Sequence, residues 1–213
     1  MLEFANDGGP MMVVPRSPAP LWEGGEHPSG GRAVDAQFRW AGDGAPATDY
    51  DRACDVEEGA ALLTAGPGWV LVLNGELAGA GWLPLGEDPA SAAIVASSGG
   101  FDESLTELHA QFAGGAWTSL TESLSIGAGG VFLMHAAGIL GDVDEVAYDS
   151  EERASSPCIG DAIMYPLPAG TYRAELLEHV RRRTATTPGG GVVIVRLTRV
   201  GDLRASAADV ASS

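Results

Sequence analysis

The chain has 213 residues, with 29 acidic and 12 basic side chains, a formal net charge of −17 with histidine neutral, 45% hydrophobic residues, 30 glycines and 13 prolines. A folded chain of that length buries roughly 70% of the surface its unfolded form exposes, so it needs no metal or disulfide staple. Every basic residue is arginine, which excludes a P-loop lysine on phosphates and a Schiff-base amine, and no apolar run approaches the ~20 residues that span a bilayer.

The charge is unevenly placed. Residues 1–58 carry 11 acids and 4 arginines, residues 59–172 carry 14 acids and Arg153 alone, and residues 173–213 carry 4 acids and 7 arginines. Binding nucleic acid begins with neutralising phosphates, so direct contact with nucleic acid is not expected and the natural partners are cationic. Solubility alone accounts for much of such a surplus. The opening Met1–Pro10 has neither a basic nor an apolar signal region, and Cys54 and Cys158 form no CxxC. Both features read as a cytoplasmic protein with reduced thiols.

In chain order, the apolar runs predict strands at Met11–Val14, Ala36–Trp40, Trp69–Leu73, Leu77–Leu83, Ala92–Ala96, Trp117–Ile126, Val131–Ala136, Asp161–Tyr165, Thr171–Val180 and Val192–Thr198. Glu23–Gly31 reads as a turn-rich excursion, and Tyr50–Leu63 as a helical piece broken by Gly59. Asn74-Gly75 between two runs predicts a tight hairpin. Phe101, Leu105, Leu108 and Phe112 share one helical face, with Asp102 and Glu103 in the first turn and Gly114-Gly115 at the end. Leu140–Pro157 reads as an acidic loop, and residues 171–198 as a C-terminal hairpin. The expectation is α+β, predominantly antiparallel β: one domain over residues 1–204 with a single amphipathic helix packed on the sheet, and a flexible tail at 205–213.

The chemistry-bearing residues assemble no reactive centre. There is no G-x-S-x-G and no H-E-x-x-H, and His27, His109, His135 and His179 are widely separated. The stretch Asp142–Asp149 lacks the glycine and final glutamate of a calcium loop. No catalytic residue, metal or cofactor is therefore expected. Asp49 and Asp51 would share a face in an extended segment and could share a proton. Helix capping and pairing with Arg52 is favoured, because no nucleophile or substrate clamp lies nearby. Two alternatives stay open: an enzyme in which His135 meets Asp49 and Asp51, and a small-ligand-binding β domain with a large apolar pocket.

Several segments are familiar as a set: Asn6-Asp7-Gly8-Gly9-Pro10, Leu21-Trp22-Glu23-Gly24, Thr48-Asp49-Tyr50-Asp51-Arg52-Ala53-Cys54, Val70 to Gly75 with Trp82-Leu-Pro84, and Leu167 to Arg173 with Val195-Arg-Leu197. From about residue 3 to 198 the chain resembles the bacterial immunity protein 21 family, predicted partners of polymorphic toxins. The resemblance implies a non-catalytic protein that binds and neutralises a cognate toxin, such as a nuclease with a cationic cleft, without touching nucleic acid or membrane itself. It implies a monomer or weak dimer and marks Gly8, Gly9, Pro10, Asp49, Tyr50, Asp51, Arg52 and Cys54 as motif residues. On this reading Asp142, Asp144, Glu145, Asp149, Glu151 and Glu152 supply steering charge, with Trp22 and Tyr148 as anchors.

Overall fold

The runs Met11-Met-Val-Val14, Val70-Leu-Val-Leu73 and Val131-Phe-Leu-Met134 leave no polar position, so strands built from them must be covered on both faces. The computed structural model covers them so. It describes residues 3–5, 9–17, 19–28, 33–57, 59–74, 77, 79–85, 90–97, 107, 110, 114–142, 144–147, 161–181 and 190–203.

Among the described residues twelve strands make two six-stranded sheets. Sheet I runs β1 (Glu3–Ala5), β5 (Gly79–Pro84), β6 (Ser91–Ser97), β12 (Gly190–Gly201), β11 (Gly170–Arg181), β7 (Thr118–Ile126). Sheet II runs β3 (Gly59–Ala65), β4 (Gly68–Asn74), β2 (Met11–Pro15), β8 (Val131–His135), β10 (Asp161–Tyr165), β9 (Asp144–Ala147). Every pairing is antiparallel except β9 with β10.

Alternate residues sort into layers, as the strand period of two requires. Met11, Val13, Leu71, Leu73, Leu133 and Ile163 of sheet II meet Ala80, Ile94, Ile126, Tyr172, Val195 and Leu197 of sheet I in one interior. Trp82 stacks on Tyr165 across that interior, ring centroids 4.5 Å apart and planes 12° from parallel. Trp69 Nε1 in β4 donates to Ser125 O in β7 at 2.9 Å, a polar tie between the sheets. The opposite residues of sheet II, Met12, Val14, Val70, Val72, Phe132 and Met134, form a second core with Trp22, Tyr50 and Ala53. A third cluster, Ala93, Val95, Leu177, Val192 and Ile194, occupies the outer face of sheet I. Beside it Arg196 lies 4.2 Å from the Trp117 ring centroid and donates twice to Glu175 Oε2, at 2.9 and 3.1 Å.

Several expectations are corrected. Asn74-Gly75 does not turn a hairpin: β4 belongs to sheet II and β5 to sheet I, so the chain crosses between sheets after Asn74. The true hairpin partner of β4 is β3. The piece expected to be helical over Tyr50–Leu63 is the helix α1 (Asp49–Cys54) followed by β3, which opens at Gly59 with φ +107. Ala36–Trp40 is no strand; side-chain carboxylates, described below, take its amides in place of a neighbouring strand. Among the described residues the helix that covers a sheet face is the six-residue α1. Of the expected helix over residues 101–113, Glu107 and Ala110 are helical and exposed. The apolar positions Phe101, Leu105, Leu108 and Phe112 lie outside the described residues, as do Asn74's neighbour Gly75 and the tail from 204. The C-terminal hairpin is present, β11 pairing with β12 from Thr171 to Arg181.

The turn from β7 to β8 yields a test. Gly129 and Gly130 both have positive φ, +98 and +76. A Cβ on Gly130 would lie 2.1 Å from the Tyr165 carbonyl oxygen, whereas one on Gly129 would meet the flexible Arg16 side chain. Gly129→Ala should cost about 1 kcal/mol from backbone strain alone. Gly130→Ala should cost at least twice that, because β10 must move, and urea unfolding of the two variants checks the order.

Candidate functional site

Helix α1 begins at Thr48, whose hydroxyl accepts from Asp51 N at 3.2 Å while Asp51 Oδ2 accepts from Thr48 N at 2.8 Å. This reciprocal capping box starts a helix too short to persist by propensity alone. Its carboxylates then reach outward. Asp49, fully buried, accepts from Glu23 N at 3.0 Å and from Arg52 Nη1 at 2.9 Å, and Arg52 Nη2 donates to Thr64 O of β3 at 2.8 Å. Asp51 Oδ1 accepts from Trp40 N at 2.7 Å. Asp55, just past the helix, accepts from Phe38 N at 2.8 Å and from Gln37 N. Two carboxylates of one short helix and a third just past its end therefore hold the chain at residues 23, 37, 38 and 40.

The two motif stretches converge beside this helix. Tyr50, 8% exposed, stacks on His135 with centroids 6.1 Å apart and planes at 24°. Gly9 has φ +87, and a Cβ there would lie 2.6 Å from Tyr50 Oη and 3.4 Å from the His135 ring. Glycine is required twice over, by backbone conformation and by the approach of two rings. His135 Nδ1 accepts from Ala137 N at 3.1 Å, which leaves the ring proton of the neutral form on Nε2. Burial pushes the Tyr50 hydroxyl up to about 12, helped by its hydrogen bond to Cys54. Burial likewise raises the free Cys54 thiol to about 11, the bond from Tyr50 opposing in part.

Asp49 and Asp51 thus act as cap, ion-pair partner and amide acceptor, with both oxygens of each engaged. The favoured sequence reading of these residues agrees with this geometry. His135 stacks on Tyr50 and lies against the Gly9 backbone. Among the described residues no group of three or more His, Cys, Asp or Glu is placed to hold a metal ion, and no helix is long and apolar enough to cross a membrane.

The expected partner-facing residues fare differently. Trp22 is 2% exposed, packed in the second core with its indole N–H donating to Ala136 O at 2.8 Å. An anchor must be accessible, so Trp22 belongs to the scaffold. Asp142 ends a 3-10 turn, and Asp144 and Glu145 lie on β9, the edge strand of sheet II, rather than in a loop. Tyr148, Asp149, Glu151, Glu152 and the motif residue Gly8 lie outside the described residues; Pro10 is buried. Sequence reasoning passed over Phe38 and Trp40, which are 40% and 70% exposed. Their alternation with Arg39 resembles a strand, and only the nearby Gly42-Asp-Gly44 hints at a loop.

A family model described as immunity protein 21 matches residues 4–184. The chain belongs to the immunity protein 21 family. The matched span includes Gly9, Trp22, α1 and His135 and ends before β12, so it is shorter at the C-terminus than the sequence resemblance suggested. No curated protein and no solved structure matches the chain.

Two predictions follow from the geometry of α1. Asp51→Ala should cost about 2–4 kcal/mol, the cap and the charge-assisted acceptors being lost together. Asp51→Asn, which keeps one acceptor, should lose about half as much; equal losses in urea titrations would show that the carboxylate is not what holds the segment. Tyr50 and Cys54 hold their protons more tightly folded than at their ordinary values of 10.0 and 9.0. The stability they contribute is full below pH 9 and is lost as pH rises through about 11 to 12. Thermal midpoints should fall over that window, and Cys54→Ala should flatten the early part of the fall.

Proposed function

We propose that this protein is a non-catalytic immunity protein that binds a cognate bacterial toxin in the cytoplasm and neutralises it by occupying its functional surface. Membership of the immunity protein 21 family over residues 4–184 is the observation that carries this reading. The charge supports it: 29 acids against 12 arginines suit a cationic target, such as the cleft of a nuclease domain. Binding of this kind excludes substrate by presence and needs no reactive centre. One domain over residues 1–204, acting as a monomer or weak dimer, suffices for it.

Within this reading Asp142, Asp144, Glu145, Asp149, Glu151 and Glu152 steer the toxin toward the protein, and Tyr148 adds an aromatic contact. Asp144 and Glu145 sit on an edge strand, where charge also keeps the strand from pairing with a foreign sheet. Steering acts on encounter more than on final affinity, so its signature is kinetic.

Co-expression with a candidate toxin domain, sought first in the adjacent gene, should rescue cell growth, and growth arrest despite soluble protein would defeat the proposal. Changing Asp142, Asp144 and Glu145 together to lysine should slow association about tenfold at low salt and flatten its salt dependence. Stopped-flow mixing of the purified pair reads both, and unchanged kinetics at low salt would remove this edge from the interface.

A further inference from the structure

Among the described residues the large apolar side chains most open to water are few: Leu21, Phe38, Trp40, Val200 and Leu203. Two of them, Phe38 and Trp40, fall in one three-residue stretch, and Trp40 is 70% exposed. Scattered exposed apolar residues need no explanation. This pair is different because its backbone is held from beneath. Asp55 takes the amides of Gln37 and Phe38, and Asp51 takes that of Trp40. Arg39, between them, folds back to donate to the carbonyls of Ala36, Phe38 and Ala45. The Trp40 ring stands edge-on to Tyr50, centroids 5.9 Å apart and planes at 86°. Buried Asp51 and exposed Asp55 thus hold the backbone that carries two solvent-open aromatic rings. An ordered ring loses little further freedom on binding, which is how pre-organised contacts gain affinity.

We infer that Phe38 and Trp40 are the anchor with which this protein grips a cationic protein surface, an inference that rests on the proposed neutralisation of a toxin. Charge selects that occupant. Exposed Asp35 and Asp43 flank this stretch in the chain, and exposed Asp55 and Glu57 follow directly on α1, whose residues support it. The two arginines described in the region are bound internally, Arg39 to carbonyls and Arg52 to Asp49 and Thr64 O. A lysine or arginine of the partner laid on the Trp40 face gains the attraction of the ring quadrupole and of flanking carboxylates at once. The same chemistry operates inside this chain, where Arg196 lies over Trp117 beside Glu175. Aromatic anchors at a partly desolvated centre, surrounded by charge, are the usual location of binding hot spots.

The test uses the full-length chain and the purified toxin domain against which co-expression protects, with binding followed by surface-immobilised kinetics. Trp40→Ala should weaken binding at least tenfold, mainly through faster dissociation, and Phe38→Ala several-fold. Trp40→Phe, which keeps an aromatic face, should retain more affinity than Trp40→Ala, a ranking that loss of folding does not produce. Thermal midpoints within a few degrees of the parent confirm the fold, and Val200→Ala with Leu203→Ala should leave affinity unchanged. Parent-like affinity in both Trp40→Ala and Phe38→Ala would overturn the anchor while leaving toxin neutralisation standing. A parent chain that neither binds nor protects against any candidate toxin domain would overturn both. Self-association of the parent that Trp40→Ala abolishes, with toxin affinity intact, would assign the rings to a second copy of this chain and likewise overturn the inference.

Discussion

Carboxylates accepting backbone amides, two of them buried, are the interaction on which the described architecture turns. Sheet II is apolar on both faces, and its outer face is covered by an irregular chain around α1 rather than by another sheet. Irregular backbone laid over an apolar surface has amides with no ladder to join, and each left unpaired costs about 1–3 kcal/mol. Asp49, Asp51 and Asp55 take those of Glu23, Trp40, Gln37 and Phe38. Arg52 then offsets one of the charges and ties the helix to β3. A carboxylate suits this task because it offers several acceptor sites and forms stronger bonds to N–H groups than a neutral oxygen does.

The same arrangement joins fold and function. Gly9 admits Tyr50 and His135 only because it has no side chain, and Tyr50 in turn packs at near right angles to Trp40. Motif residues that sequence reasoning weighed as chemical groups are the struts of a surface. What that surface presents is two exposed aromatic residues with their amides held by carboxylates, which suits the proposed binding face. Recognition of a cationic protein needs complementary potential for encounter and a few ordered anchors for residence. Both can be built from aspartates, some exposed and some buried, without a titrating catalytic pair.

Much of the β structure was legible in the sequence, because strands such as Asp161–Tyr165 and Ala92–Ala96 are apolar runs bounded by turn residues. Capping was legible in part: Asp49 or Asp51 was the expected cap, whereas the cap is Thr48 and Asp51 closes the box from three residues on. The reading failed where a local pattern served a distant partner. Asn74-Gly75 has hairpin chemistry, but the strands on either side pair elsewhere, β4 with β2 and β3, and β5 with β1 and β6. Ala36–Trp40 alternates like a strand, yet its amides face the carboxylates of a helix ten or more residues on. Trp22 and Trp40 are the same residue type in similar turn-rich surroundings, and only one of them lies under a core.

By itself the sequence determined the composition of the layers, the acidic surplus, the absence of lysine chemistry and the family, since these depend on residue identity and local spacing. The tertiary structure decided which sheet each strand joins, which faces are covered, which tryptophan is inside and where the aspartates point. Those outcomes depend on contacts between residues far apart in the chain, and period-two patterns specify a face without naming what lies against it.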